Sequence, residues 1–345
     1  MNDRHQRVRI KNTYSKNHFS EWEKVKQGVL QGSVLGPIFF LLYINDLPGI
    51  INDKHISKPT IFADDTNIII THPKISAFKE EINAVIEKIS NSFQTNLLVL
   101  NFNRTYYMHF STKLKFLIDI QLSYKGKPIT NTLSTRFLGL TLDSILSWNL
   151  HIEQLSSKLN SACHVIRLLK TIISTKNLRI VYFAYVHSII TYGIVFWGSS
   201  PYSMNIFKLQ KRVIRIITKV DNRVSCRKLF KKLNILLLYS QYILSILLFV
   251  VNNIHEFTIN SDVHSIRTRH RSDLHPPLTR LMKHKKGIYY SGIKIFNYLP
   301  RNIKNLFRDV KQFKLTLKRF LSVGSFYTLE EYFDWTSRSD LGCYV

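Results

Sequence analysis

Cysteine is scarce: Cys163, Cys226 and Cys343 are the only three in 345 residues. An odd number of such widely spaced thiols builds no disulfide framework and no CxxC metal site, and it suits a reducing, intracellular compartment, nuclear or cytoplasmic. Acids are scarce too, 22 Asp and Glu against 49 Lys and Arg, which leaves a net charge of +27. A surplus of that size favours a polyanion as partner, nucleic acid ahead of a membrane surface. Residues 1–20 lack the apolar stretch of a secretory signal. The most apolar run, Ile235 to Val251, is broken by Ser240, Gln241 and Ser245. It is short for a membrane span and reads as a buried helix. No internal repeat is evident. Apolar residues themselves are not lacking: they make up 45% of the chain, so the sequence is no disordered tail and has length for two or three domains.

Residues 7–30 mix β-branched, aromatic and charged side chains and read as a strand pair reaching Gly28. From Ile38 to Leu47 the pattern predicts a buried helix, with Pro37 in its first turn and Pro48-Gly49 as its stop. Residues 60–70 read as a hairpin with Asp64-Asp65 at the turn. Residues 75–95 place Phe78, Ile82, Val85, Ile89 and Phe93 at helical spacing. Another strand pair is expected around 97–110 and 116–130, then a strand through Gly139. Beyond His151 helical periods dominate, at 151–173, 176–192, 203–219 and 235–254. Residues 255–290 read as a loop or linker, and 310–321 as a basic amphipathic helix. The expected division is 1–150, 151–254 and 255–345.

The stretch FADDTN, residues 62–67, sets two carboxylates side by side between apolar flanks. Like charges that close are costly to desolvate unless a cation compensates, whereas an open turn carries them at little cost. Apolar flanks argue against a casual surface loop. Carboxylates in such a mount suit Mg²⁺, which prefers hard oxygens and binds through few carboxylates plus substrate phosphates. About thirty residues upstream, Gln31-Gly32 precedes the helix, and glycine there lets a nucleotide approach the backbone closely.

GVLQGSVLGPIFFLLYINDLP followed by FADDTNI resembles the reverse transcriptase of non-LTR, LINE-like (jockey-type) retrotransposons. FLGLTLDSILSWNLHIEQL (137–155), LRIVYFAYVHSIITYGIVFWGSS (178–200) and the ending KKGIYYSGIKIFNYLPRNIK extend the resemblance along nearly the whole chain. The resemblance implies an α+β fold: a partial right-hand polymerase palm, an antiparallel sheet with helices, followed by a mostly helical thumb and C-terminal region. It implies RNA-directed DNA synthesis with Mg²⁺ (or Mn²⁺), an RNA template, a DNA primer and deoxynucleoside triphosphates, and no membrane. By position, Asp64 and Asp65 match the catalytic, metal-binding pair, with Asp64 the direct ligand. Gln31 and Gly32 match the loop that positions template base and nucleotide. Phe62 and Ala63 line the approach to the sugar, and Phe137, Leu138 and Gly139 match the strand that supports the primer end.

This sequence also departs from that pattern. The family carries a further metal-binding aspartate upstream of the glycine loop, and Asp3, Glu21 and Glu23 stand in no comparable motif. Leu30 stands where proline is usual, and Arg104 where lysine is frequent. Arginine is a poor proton donor. The expectation is a chain that extends no primer by itself. The alternative is a non-catalytic nucleic-acid-binding remnant, gripping phosphates with Lys and Arg and stacking bases on Tyr289, Tyr290, Phe296 and Tyr298. Trp148 and Trp197 read as core. His264, His270, His275 and His284 lack the spacing of a zinc site.

Overall fold

A computed structural model describes residues 4–10, 18–25, 28, 32–52, 57–110, 120–264 and 270–339. The chain forms two compact units, residues 1–109 with 113–132, and residues 110–112 with 133–345. The class is α+β. All six ladders among the described residues are two-stranded, five antiparallel and one parallel.

The first unit opens with two small exposed ladders, β1 (His5–Gln6) on β4 (Glu23–Lys24) and β2 (Arg9–Ile10) on β3 (His18–Phe19). Arg7 lies over the Phe19 and Trp22 rings there, at 4.2 and 4.7 Å. Helix α1 (Gly36–Ile44) follows, then α2 (Leu47–Ile51). Pro37 stands in the first turn of α1 as expected. Pro48 does not end the helix: the break falls at Asn45-Asp46, and Pro48 opens α2, where its missing N–H costs nothing. Strands β5 (Ser57–Phe62) and β6 (Asp65–Ile70) form the expected hairpin, and α3 (Ile75–Thr95) the expected amphipathic helix.

The principal core of this unit is small. Ile44, Leu47 and Ile51 from one side of α1–α2 meet Val85 and Phe93 of α3, with Phe40, Ile61, Ile68 and Ile70 packed around them. Phe40, Ile44, Leu47 and Ile51 recur at spacings of three and four, so they form a single line along the two helices. The rest of α1 is not buried, contrary to the sequence expectation: Ile38, Leu41 and Leu42 are 51, 52 and 67% exposed. An evenly apolar helix needs cover on every side, and this unit covers one. The strand pair expected at 97–130 is also replaced. Tyr106–Tyr107 (β7) pairs in parallel with Thr130–Asn131 (β10), while Ser123–Tyr124 (β8) and Lys127–Pro128 (β9) make their own tiny hairpin at Lys125-Gly126. Residues 111–119, part of that expected pair, lie outside the described residues.

The second unit begins with a hairpin, β11 (Ser134–Phe137) and β12 (Leu140–Asp143), where a single strand was expected. Leu138 and Gly139 both take positive φ, 44° and 80°. Positive φ at both central positions is the type I′ turn that matches strand twist. Helices then take over. They are α4 (Asn149–Leu169), α5 (Thr175–Val181) running through a wider π-type stretch at Tyr182–His187 into α6 (Ser188–Thr191), α7 (Ile194–Trp197) and α8 (Ser203–Thr218). After α9 (Arg227–Leu233) and α10 (Leu238–Asn252) come the short α11 (Asn260–Val263) and α12 (Met282–Lys285). The chain closes with α13 (Ile288–Asn297), α14 (Arg301–Lys304), α15 (Val310–Gly324) and α16 (Leu329–Ser339).

Helix α10 is the hub. It packs on α7, α13 and α15 and buries Leu238, Tyr242, Ile243, Ile246, Leu247 and Val250, as its apolar sequence predicts. Trp197 is fully buried and Trp148 packs against the same core. The buried Gln210 side chain is satisfied on all sides. Its Nε2 donates to the Tyr182 hydroxyl and to Leu236 O, at 2.9 and 3.0 Å, and its Oε1 accepts from Leu238 N at 2.9 Å. That clamp joins α8, the π-type stretch and the start of α10, and a fully paired buried amide specifies one packing. Among the described residues no single helix is long and apolar enough to cross a membrane.

Candidate active site

The hairpin carrying Asp64 and Asp65 is built by alternation. Across the ladder Ser57 faces Ile70, Pro59 faces Ile68 and Ile61 faces Thr66; this face turns to α2 and α3. Ser57 is fully buried, and its hydroxyl donates to Ile51 O. The opposite face pairs Lys58 with Ile69, Thr60 with Asn67 and Phe62 with Asp65. Strand side chains alternate between faces, so anchoring one face in the core displays the other. Phe62 is 61% exposed, and both aspartates are exposed.

The turn is tighter than the sequence suggests. Phe62 and Asp65 are the last ladder pair, so Ala63 and Asp64 form a two-residue loop and Asp65 already belongs to β6. Ala63 has φ 52°, and Asp64 is not among the positive-φ residues. Positive φ at the first central position alone marks the type II′ geometry, in which glycine is the usual occupant. Ala63 therefore carries backbone strain at the tip of the hairpin.

Neither carboxylate has an ion pair among the described residues, and no group of three or more His, Cys, Asp or Glu converges there or elsewhere among them. Two adjacent exposed carboxylates on a rigid mount fit a hard divalent cation shared with phosphate oxygens. They do not make an all-protein cage.

Gly32 has φ 85°, with open space where a Cβ would stand. The segment thus approaches α1 in a conformation that suits glycine and leaves its backbone accessible. The Ser33 hydroxyl accepts from Gly36 N at 3.0 Å, covering one orphan amide at the start of α1. Gln31 and Leu30 lie outside the described residues. Arg104 sits exposed at the end of a 3₁₀ turn, Phe102–Arg104.

Phe137, Leu138 and Gly139 belong to the second unit. They form the tip of the β11–β12 hairpin rather than the middle of a strand. Two residues that sequence reasoning missed secure this segment. Tyr192 donates its hydroxyl to Leu138 O, and its ring lies 3.2 Å from where a Gly139 Cβ would be. Asp143, at the end of β12, ties down the following loop. Its Oδ1 accepts from Ile145 N and Ser147 N, at 3.2 and 2.8 Å. Its Oδ2 accepts from Ser147 Oγ and Trp148 N, at 3.2 and 2.9 Å. The sequence signal for Asp143 was an acid just before a run of apolar and small residues opening a helix; Tyr192 gave no local signal.

A buried histidine, His151, stands beside this loop. Thr141 N donates to His151 Nδ1 at 3.3 Å, so the ring proton belongs on Nε2, which is buried without a partner among the described residues. Burial, and secondarily Lys158, push the His151 pKa down; burial and Lys318 do the same for His187.

The aromatic side chains proposed for base stacking are largely occupied. Phe296 is core. Tyr289 is half-buried, stacked on Phe257 at 4.5 Å, with its hydroxyl bonded to Glu256 O. Tyr298 meets Phe333 edge-on at 4.8 Å. Helix α13 buries Phe296 and Phe257 covers Tyr289, while Tyr298 keeps an exposed edge, so alternation with lysines does not by itself make a stacking platform. His270 pairs with Asp273, which also binds Lys304 at 2.9 Å.

Residues 4–142 match the family described as Reverse transcriptase (RNA-dependent DNA polymerase). The "Probable RNA-directed DNA polymerase from transposon BS" of Drosophila melanogaster is 26% identical over 245 residues. The match covers 68% of this chain and 26% of that protein, so the chain spans about a quarter of the length of its relative. No solved structure matches. The hairpin acids and Gly32 both lie inside the matched segment, so the part of the chain that carries the candidate site is similar to the reverse transcriptases, and the two matches together support a non-LTR retrotransposon kind.

Proposed function

We propose that the β5–β6 hairpin is the nucleotidyl-transfer site of an RNA-directed DNA polymerase, acting on an RNA template, a DNA primer and deoxynucleoside triphosphates. The observation that carries this reading is the pair of exposed carboxylates at the tip of a core-anchored hairpin, one in its two-residue turn and one opening β6, inside the segment that matches the family. In the reaction the primer 3′-hydroxyl bonds to the α-phosphorus and pyrophosphate leaves. Asp64 and Asp65 would hold Mg²⁺, or Mn²⁺ in its place, together with the triphosphate; the bound metal neutralises charge on the transferred phosphate. The chain's own work is positioning. The ladder fixes Asp65 against Phe62, and Phe62 and Ala63 border the approach to the sugar. Gly32 keeps the backbone beside α1 open to a nucleotide, with Gln31 assigned to the template base. Phe137, Leu138 and Gly139 are assigned to the primer end, held by Tyr192.

The alternative, a nucleic-acid-binding remnant without synthesis, is favoured by one observation: only two acids meet at the hairpin among the described residues. Losing one member of a catalytic unit commonly costs several orders of magnitude in rate. Primer extension by this chain alone is therefore expected to be undetectable, while metal-dependent nucleotide binding persists. Equilibrium binding of a labelled deoxynucleoside triphosphate with Mn²⁺ tests the site. Asp64→Asn is expected to weaken it by at least about tenfold, one unit of 1.4 kcal/mol. Binding indifferent to that change and to chelation of the metal would remove the hairpin from the reading. Template-dependent extension abolished by Asp64→Asn would keep the site and overturn the remnant.

A further inference from the structure

A notch of about 240 Å³ lies where the start of α9, the turn after α15 and helix α16 meet. Arg227, Phe326, Glu331, Asp334 and Trp335 line it. The sequence of α16 explains its form. Tyr332 and Thr336, four apart, are buried and fix the core face of the helix. Asp334 stands exposed off that face, and Trp335 is half-buried. The Trp335 ring meets Phe320 at 4.8 Å and Phe326 at 5.4 Å, and Phe326 is itself buried. The notch thus has an aromatic floor and a charged rim.

Two of the three charged groups on the rim are already engaged with each other. Arg227 Nη2 donates to Glu331 Oε1 and Oε2, both at 3.0 Å, and Tyr327 N donates to Oε2 at 2.9 Å. The Arg227 guanidinium also lies over the Tyr327 ring at 4.5 Å. It therefore has both partners that a guanidinium takes, a carboxylate and an aromatic face. Asp334 and Trp335 offer the same two partners beside it. Among the described residues Asp334 has no ion pair, and no cation lies over Trp335.

Fold stability does not account for Asp334. Glu330 and Glu331 stand in the first turn of α16, where acids suit the helix dipole, and Asp334 lies beyond it. Glu330 and Asp334 are like charges at i, i+4, which repel. Size and charge decide what the notch accepts. A drug-sized ligand or cofactor fills roughly 300–1,000 Å³, so this volume suits one side chain. Two acids and one base on the rim disfavour a phosphate. No group of three or more His, Cys, Asp or Glu converges here among the described residues, so there is no all-protein metal cage. The chain's net charge of +27 repels a long basic segment. What fits is a single cation with a flat, weakly hydrated face, which describes arginine better than lysine.

We infer that the notch is a docking site for one arginine side chain, presented by a partner protein on a segment otherwise without charge. The incoming guanidinium pairs with Asp334 and lies against Trp335, and its stem covers Phe326. The site is a protein–protein contact and does not depend on the hairpin acids or on any synthesis there.

The test titrates the full chain, labelled with the heavy nitrogen isotope, with the capped peptide Gly-Ala-Arg-Ala-Gly. A second peptide carries citrulline, the neutral isostere, in place of arginine. The readout is the indole N–H resonance of Trp335, assigned by its loss in Trp335→Phe. The arginine peptide is expected to shift that resonance saturably, with a Kd on the order of 1 mM, and to bind more weakly as salt is raised. Citrulline and Asp334→Asn are each expected to weaken binding at least about fivefold, because each removes the charge from one side of a charge-assisted bond. Glu80→Gln on α3 is a distant control, expected to leave Kd within about twofold. Asp334→Asn removes the repulsion from Glu330, so its melting temperature is expected to be unchanged or raised. Should that variant fail to fold, the citrulline comparison on the unchanged chain carries the same readout. Equal binding of the two peptides overturns the inference. So does a folded Asp334→Asn chain that binds the arginine peptide as the parent does. So does the absence of any saturable Trp335 shift up to about 10 mM peptide.

Discussion

Helices α1 and α10 are both strongly apolar, and the fold uses them in opposite ways. α10 is sunk among α7, α13 and α15 and buries ten of its fifteen residues. α1 buries only its two ends, Gly36 and Ile44. The same contrast holds for the units that contain them. The second unit gathers Trp197, Tyr182, Tyr242, Phe207, Phe230 and Phe313 into one extensive core. The first rests on a short line of contacts between α1–α2, the hairpin and α3. Yet the first unit bears the recognisable motifs. Apolar composition demands cover but does not name what supplies it, and residues selected to meet substrate stand outside the core by necessity.

The hardest test of this contrast is a large-to-small change in each core. Trp197→Ala removes a fully buried ring whose Nε1 bonds to Tyr192 O at 3.1 Å. It is expected to cost about 3–5 kcal/mol and to be read in chemical denaturation of the second unit. Phe93→Ala, at 8% exposure in the smaller core, is expected to cost less, because the surrounding residues are freer to collapse and water is closer. Equal losses would break the comparison. The two units also forbid a single two-state fit, so amide exchange resolved by segment is the cleaner measurement.

A middling effect is expected at Asp143. Asp143→Ala strands the amides of Ile145, Ser147 and Trp148 that its carboxylate satisfies. The expected loss is about 2 kcal/mol, since charge-assisted bonds are the stronger kind but water can reach part of the loop. Asp143→Asn is expected to lose less. A melting temperature unmoved by either change would mean that the loop is held by Trp148 packing alone.

What was legible in the sequence follows from these contrasts. Periodicity located α3, α4, α8, α10 and α15 because each has an apolar stripe set against polar residues or a long apolar run. It gave the hairpin at 60–70, where the ladder in fact starts at Ser57, since β-branched strands alternate around a turn. It missed α9, α13 and α16 as separate helices, which are short or aromatic-rich and owe their form to packing, α9 on α8, α13 on α10 and α16 on α13 and α15. It mistook α1 for a buried helix, because hydropathy reports demand and not supply. It placed the aspartates correctly in a hairpin but one residue early, since only the ladder shows that Asp65 already pairs with Phe62. The base-stacking role suggested for Tyr289 and Phe296 failed because alternating Lys and aromatic residues do not say which face is core.

A smaller effect is expected from pH, and it belongs to the second unit. His151 and His187 both have folded-state pKa values below the ordinary 6.5. Below 6.5 the unfolded chain binds protons that the folded chain refuses, so stability rises with pH in that window. The two histidines thus contribute nothing adverse above 6.5, and stability is lost as pH falls from 6.5 towards their lowered folded values. Melting of the second unit is expected to drop by roughly a few degrees between pH 7.5 and 5.5. His151→Asn should flatten part of that dependence.

The finest test compares the two hairpin tips. Ala63 at the first and Leu138 at the second both hold positive φ without being glycine. Ala63→Gly relieves a left-handed backbone worth about 1–2 kcal/mol but enlarges the unfolded ensemble by roughly 0.5–1 kcal/mol. The net expectation is a gain of about 0.5 kcal/mol, seen as slower exchange of the β5–β6 ladder amides. Leu138→Gly removes the same strain but also changes a tip whose carbonyl is already held by Tyr192, so its gain should be smaller. A loss at Ala63→Gly would show that the β5–β6 turn draws more from the alanine methyl than its strained backbone costs. The strain at the carboxylate tip would then be compensated locally, as the Leu138 tip is by Tyr192.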